Sequence, residues 1–200
     1  SISKEGVKDF VKSITHLSAR DYQIEGIYEA LRYNRKVIVS PTASGKSLLI
    51  YSLVRYYTFK NLKTLIIVPT TSLVSQLYKD FIDYGMGERG IHKIYSGRDK
   101  DNIQSSVVIS TWQSIYKLPK EWFDQFGMVI GDECHGFKSK SLTDIMNKCT
   151  EAKYRIGTTG TLDNAQVHHL VLQGLFGKIH RVTTTKALQD NNTLAKLDIN

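Results

Sequence analysis

Ser40-Pro41-Thr42-Ala43-Ser44-Gly45-Lys46-Ser47 follows the apolar run Val37-Ile38-Val39 and opens a helical pattern over residues 47–59. A strand that turns through such a loop into a helix aims backbone N–H groups and the positive helix terminus at one place, which is a cradle for phosphate oxygens. Lys46 adds a cation for the β- and γ-phosphates of a nucleotide. Ser47 adds a hydroxyl of the kind that ligates Mg²⁺, and Gly45 lets the backbone come close to a ligand. The common phosphate-loop pattern begins with Gly, where this chain has Ser40. An ordinary Gly-Lys-Ser turn capping a helix carries the same residues, so the surroundings must decide.

Those surroundings repeat the theme. Further apolar runs stand at Leu65-Ile66-Ile67-Val68, Val107-Val108-Ile109, Met128-Val129-Ile130 and Tyr154-Arg155-Ile156. Continuous rather than alternating runs suit strands buried on both faces. Helical patterns over 72–84, 111–117 and 139–149 separate them, which predicts an α/β fold: a mostly parallel central sheet with helices on both faces and right-handed crossovers. Ligands of such sheets bind beyond the carboxyl ends of the strands, where the polar segments of this chain lie. Residues 85–90 and 96–106 read as surface loops. Past Asp163 the pattern weakens to a helix over 165–173, a Gly-Leu-Phe-Gly turn, a short strand over 179–183 and a polar tail.

The run Met128-Val129-Ile130 ends in Gly131-Asp132-Glu133-Cys134-His135. A buried strand that delivers Asp132 to its carboxyl end supplies a Mg²⁺ ligand, and the adjacent Glu133 can orient and deprotonate an attacking water. A polar pair closing a strand is common on any α/β surface, but a preceding phosphate loop gives this pair a task. Phosphoryl transfer needs mainly positioning and charge neutralisation, which these groups provide.

The chain has 200 residues, 41% of them hydrophobic, enough for one well-packed domain. Lys and Arg number 27 against 19 Asp and Glu, a formal net charge of +8. That balance fits either a polyanionic partner or a merely basic surface. Cys134 and Cys149 are the only cysteines. They lack metal-ligand spacing, so both are expected to be free thiols in a reducing compartment. His168-His169 likewise has no ligand-spaced cysteine or carboxylate beside it, which favours a surface or packing role over metal binding. No stretch reaches the roughly 20 apolar residues of a membrane span and the start is not a signal peptide, so an intracellular, cytoplasmic protein without a membrane partner is expected.

With the phosphate loop and the Asp132-Glu133-Cys134-His135 box in order, the chain resembles the first RecA-like lobe of a superfamily-two helicase of the DExH kind. Other segments match in sequence. Arg20-Asp21-Tyr22-Gln23 is similar to the adenine-reading motif, in which a glutamine amide pairs with the N6/N7 edge; a Gln on a helix is more often merely solvated. Val68-Pro69-Thr70-Thr71-Ser72-Leu73-Val74-Ser75-Gln76 resembles motif Ia, and Ser110-Thr111-Trp112-Gln113-Ser114 the motif Ib region. Their hydroxyls and helix-start N–H groups suit a nucleic-acid backbone, though the same Thr and Ser side chains can cap helices. Trp112 reads as core packing rather than a stacking platform. Gly157-Thr158-Thr159-Gly160-Thr161-Leu162 resembles motif III, with Gly160 where Ala is usual; the extra backbone freedom would loosen coupling.

The resemblance implies a site in which Lys46, Asp132, Glu133 and His135 are catalytic, with His135 near the γ-phosphate. Arg20, Gln23, Thr42, Ala43, Ser44, Gly45, Lys46 and Ser47 hold ATP, and Ser47 and Asp132 hold Mg²⁺. Pro69, Thr70, Thr71, Ser72, Gln76, Thr111 and Gln113 touch DNA, and Thr159, Gly160 and Thr161 couple the two sites. Within the family the motifs look most like those of phage recombination and repair helicases, which implies ATP-dependent unwinding or branch migration of branched DNA and RNA–DNA hybrids. A double-stranded DNA translocase without strand separation is an alternative. So is a P-loop small-molecule kinase, although that would want an arginine-rich lid and has no use for the Thr-Thr-Gly-Thr segment. A non-catalytic binding module is a further alternative, against which the retained Glu133 argues. The implied layout is a helical lead-in over 1–17, the ATP-binding domain over 18–183 and the start of a connection over 184–200. The family closes ATP between two RecA-like lobes, and residues 163–200 are too few for the second, which supplies the arginine finger.

Overall fold

The computed structural model describes residues 2–95, 100–133, 137–160 and 166–182. Among the described residues, seven strands form one sheet in the order β3-β4-β2-β5-β6-β1-β7: β1 is Arg35–Val39, β2 Thr64–Val68, β3 Ile91–Ile94, β4 Val107–Thr111, β5 Met128–Asp132, β6 Tyr154–Thr159 and β7 Ile179–Arg181. Every pairing among them is parallel. The helices are α1 (Lys4–Ile14), α2 (Asp21–Arg32), α3 (Ala43–Phe59), α4 (Thr71–Tyr84), α5 (Trp112–Ile115), α6 (Lys120–Phe123), α7 (Ser139–Lys148) and α8 (Gln166–Leu175).

The continuous apolar runs are buried along their whole length in β2, β4 and β5. Successive strand side chains point to opposite faces, so each run feeds two cores. Ile66 and Val68 join Val54, Val74 and Phe81 beneath α1 to α4. Leu65 and Ile67 join Phe123, Ile145, Met146 and Phe176 beneath α6 to α8. The expected α/β architecture, a parallel sheet covered on both faces, is the one observed. Within α1, Val7, Val11 and Ile14 pack into the first core.

The strand count exceeds the expectation. β3, with sequence IHKI, is an edge strand whose middle residues His92 and Lys93 are only half-buried, so its apolar signal is two isoleucines three apart. α3 begins at Ala43, a turn before the expected residue 47, because the Thr42 side chain caps it by accepting from the Gly45 N–H. α5 is shorter than expected, and Thr111 closes β4 instead of opening the helix. The strand expected over 179–183 ends at Arg181.

Register brings the chemistry together. Val39 lies opposite Thr159, and Asp132 opposite Thr158, so Ser40, Glu133 and Gly160 leave three neighbouring strands side by side. On the other half of the same edge, Val68 is level with Thr111, which places Pro69 to Thr71 beside Trp112 to Ser114.

Candidate active site

Asp132 is 1% exposed and accepts a 2.9 Å hydrogen bond from the Thr158 hydroxyl. The Lys46 ammonium lies 3.2 Å from the same Asp132 oxygen and also pairs with Glu133. Burial pushes the Asp132 carboxyl above its ordinary range, an effect only partly offset by Lys46 and Thr158. Burial alone would lower the Lys46 ammonium, but Asp132 and Glu133 together hold it above its ordinary value. The cluster is thus one cation shared by two carboxylates at the end of β5.

Glu133 takes a φ of 52°, in the left-handed region that residues with a Cβ rarely adopt. Strain of that kind persists only where neighbours over-determine the position, and it concentrates at functional sites. Here the neighbours are Lys46 and the Gly160 N–H, which donates to Glu133 Oε1 at 3.3 Å. The motif III segment therefore touches the candidate water-activating carboxylate directly. A Cβ on Gly160 would meet Glu133 Oε1 at 3.6 Å and the Ser40 carbonyl at 3.8 Å, ordinary contact distances. Alanine fits this position, so glycine is no steric requirement.

In the phosphate loop, Thr42 takes the Gly45 N–H on its hydroxyl at 3.1 Å and the Lys46 N–H on its carbonyl at 3.1 Å. Tyr22 lies over the same turn: its hydroxyl is 3.4 Å from Thr42 Oγ1, and a Cβ on Gly45 would stand 3.0 Å from its ring. Gly45 is thus required by close approach. Ala43 is exposed. The Ser47 hydroxyl meets the hydroxyl of Tyr84 at 2.5 Å, a partner from the end of α4 that carried no signal in the sequence.

Gln23 is neither a merely solvated side chain nor yet turned to a base. Its Oε1 accepts from the Arg20 N–H at 2.7 Å, closing the start of α2. Arg20 itself is exposed. His135 and Thr161, and Cys134, lie outside the described residues, as does the side chain of Ser44. Cys149 is a free, buried thiol pushed up to about 12.

The other half of the edge is built differently. Thr70 caps α4 by accepting from Leu73 N–H at 3.3 Å. Gln113 donates to the Pro69 carbonyl at 3.3 Å, tying the two loops together. Pro69, Thr70, Thr71, Thr111, Gln113 and Ser114 line an open cleft of about 460 Å³. Thr71, Ser72 and Gln76 line an adjoining one of about 600 Å³. Thr111 is the exception among the expected contacts, because it is buried with its hydroxyl 2.7 Å from that of Ser114. Gln76 is exposed and donates to Asp80 at 2.9 Å. Trp112 packs against the second core and edge-on to Tyr116, as core packing requires.

The donor set fits Mg²⁺: a hard carboxylate, Asp132, and a hydroxyl, Ser47, adjacent in sequence to the lysine that contacts Asp132. Among the described residues no group of three His, Cys, Asp or Glu could hold a metal by itself.

Residues 16–164 match the family described as "Type III restriction enzyme, res subunit". The chain belongs to this family. It is 38% identical over 185 residues to the ATP-dependent DNA helicase uvsW of Enterobacteria phage T4, which covers 90% of this chain and 37% of that protein. It is 31% identical over 163 residues to the DNA 3'-5' translocase XPB2 of Sulfurisphaera tokodaii, covering 82% of this chain and 35% of that one. The chain therefore spans little more than a third of these relatives. In structure it is similar to the UvsW helicase of bacteriophage T4, with a TM-score of 0.80 and 34% identity over 90% of this chain and 68% of the other. A Sulfolobus solfataricus SWI2/SNF2 ATPase core shares the fold, with a TM-score of 0.67 at 18% identity over 81% of this chain and 36% of that one. By family and fold the chain closely resembles the first RecA-like lobe of superfamily-two helicases.

Proposed function

We propose that this lobe binds Mg-ATP at the β5-β6-β1 end of the sheet and belongs to a DNA-dependent ATPase that unwinds or branch-migrates branched DNA and RNA–DNA hybrids. The observation that carries the reading is the cluster of Lys46, Asp132 and Glu133, with Gly160 donating to the same Glu133 oxygen. Lys46 exchanges its carboxylate partners for the β- and γ-phosphates, and the N–H groups of Gly45 and Lys46 exchange Thr42 for phosphate oxygens. Gln23, whose carbonyl has a second lone pair, reads the adenine edge while still closing α2. Ser47 and Asp132 would hold Mg²⁺, which supplies charge neutralisation on the phosphate oxygens. Glu133 orients the attacking water and accepts its proton.

The side chains around Pro69, Thr70, Thr71, Ser72 and Gln113 grip the phosphate backbone of DNA without reading its sequence. His135 and Thr161 belong to the same proposal through the family motif. A second RecA-like lobe completes the nucleotide pocket. Similarity to a translocase at 31% identity favours a second reading, duplex translocation without strand separation.

Steady-state ATP turnover by this chain, with and without branched DNA and alongside direct Mg-ATP binding, tests the proposal. Expected is Mg-ATP binding that requires Lys46, with turnover far below the usual enzyme range of roughly 1 to 10³ per second until a second lobe is joined to it. DNA-stimulated turnover within that range by this chain alone would show that the lobe completes its own site.

A further inference from the structure

Ser47 stands in the first turns of α3, yet its hydroxyl partner comes from the last residue of α4, 2.5 Å away. Tyr84 is not a loose surface ring. It lies tilted on Tyr51 with centroids 5.1 Å apart, and Tyr51 packs edge-on against Phe81 of the same helix at 5.5 Å. Tyr51 is itself fixed, donating to the Ile14 carbonyl at 2.5 Å and accepting from Arg55 at 2.7 Å. Directly after Tyr84 the helix stops at Gly85, whose φ of 118° and bonds to the Phe81 and Ile82 carbonyls fix the helix end. The hydroxyl is therefore delivered to Ser47 by a rigid element.

In a Tyr–Ser pair the phenol is the more acidic hydroxyl and the natural donor, so the bond engages a lone pair of Ser47 Oγ. A metal ion bound by Ser47 needs that same oxygen. The helix concerned is also the one whose N-cap, Thr70, sits on the cleft beside Gln113.

We propose that Tyr84 is a positioning residue for the metal-ligating hydroxyl: it latches Ser47 to the end of α4, and a metal ion on Ser47 Oγ competes with the latch for the orientation and electron density of that oxygen. The proposal rests on Ser47 as a Mg²⁺ ligand.

The test is nucleotide binding measured with Mg²⁺ and in chelator, for the wild-type chain, Tyr84→Phe, Ser47→Ala and the double variant. Phenylalanine keeps the ring against Tyr51 and removes only the hydroxyl. Loss of one net hydrogen bond predicts Mg-ATP affinity tighter by about threefold to tenfold in Tyr84→Phe, with metal-free ATP affinity unchanged. In the Ser47→Ala background the same substitution has no effect, which is the signature of a pairwise interaction. With Mn²⁺ in place of Mg²⁺, the resonance of nucleotide-bound metal emerges at a correspondingly lower Mn²⁺ concentration.

Equal changes with and without metal would reduce Tyr84 to a packing residue and overturn the proposal, as would an effect that persists in Ser47→Ala or a weakening of Mg-ATP binding. Metal dependence unaltered by Ser47→Ala would remove the ligand assignment itself, a failure distinct from that of the latch.

Discussion

The two halves of the sheet's carboxyl edge use opposite chemistry. At the ends of β5, β6 and β1 the groups are charged, buried and interlocked: Asp132 at 1% exposure, Lys46 between two carboxylates, Glu133 at a left-handed φ. At the ends of β2 and β4 the groups are neutral and mostly exposed: Thr70, which caps α4, Thr71, Ser72, and Gln113, which ties the two loops together, with the nearest lining cation, Lys79, further along α4. The contrast suits the two proposed tasks. Phosphoryl transfer rewards charge fixed in a water-poor place, whereas a track must hold a strand and let it go, for which neutral donors at helix starts are better suited.

The largest effect should come from the charged half. Glu133→Gln keeps an oxygen for the Gly160 N–H but abolishes the base, so DNA-stimulated turnover in a two-lobed version should fall about 10²- to 10⁴-fold while Mg-ATP and DNA still bind. Turnover that survives in this variant would move water activation to another group and break the assignment of roles within the cluster.

Lys46→Ala comes next, and the structure changes what is expected of it. From the sequence alone the side chain serves a ligand, so its removal should leave the fold intact. In the structure it also neutralises the buried Asp132, and removing one partner of a buried pair leaves an uncompensated charge. The variant should lose Mg-ATP binding and melt lower by of order 5 to 10 °C. The Asp132 carboxyl is already raised by burial, and losing Lys46 raises it further. A group whose folded pKa lies above its unfolded value favours the folded state below the unfolded pKa and loses that contribution as pH rises, so the deficit of the variant should grow from acid to neutral pH. Adding Asp132→Asn should restore most of the melting temperature and none of the nucleotide affinity. A pH-independent deficit would show that the pair does not stabilise the lobe.

Fold and chemistry were legible to different depths. Strands buried on both faces announce themselves as apolar runs, which is why β1, β2, β4, β5 and β6 stand out while the edge strand β3, with His92 and Lys93 in its middle, does not. The phosphate loop and the Asp132-Glu133 pair are contiguous, so spacing carries them. What crosses between elements is invisible to spacing: the Gly160 N–H on Glu133, Thr158 on Asp132 and Tyr84 on Ser47 depend on sheet register and helix packing. The Thr158 and Gly160 contacts lie inside a segment already singled out for its motif, and Tyr84 lies outside every motif.

The smallest effects belong to the neutral half, and they sharpen the contrast because two neighbouring positions should separate. Thr70 is the N-cap of α4, so Thr70→Ala should cost about 1 kcal/mol, a fall of roughly 2 to 4 °C, together with some DNA affinity. Gln113 is exposed and ties loops only through Pro69, so Gln113→Ala should leave melting and Mg-ATP binding untouched and weaken DNA binding by about twofold to fivefold. The decisive quantity is the slope of log affinity against log salt. A side chain that neutralises a phosphate releases counterions, and its loss lowers that slope by about 0.9 on duplex DNA. Gln113 carries no charge, so its loss should shift the line down without changing its slope. A changed slope would mean that the cleft beside Gln113 binds DNA through cations that move with it, and the division into a charged half and a neutral half would fail.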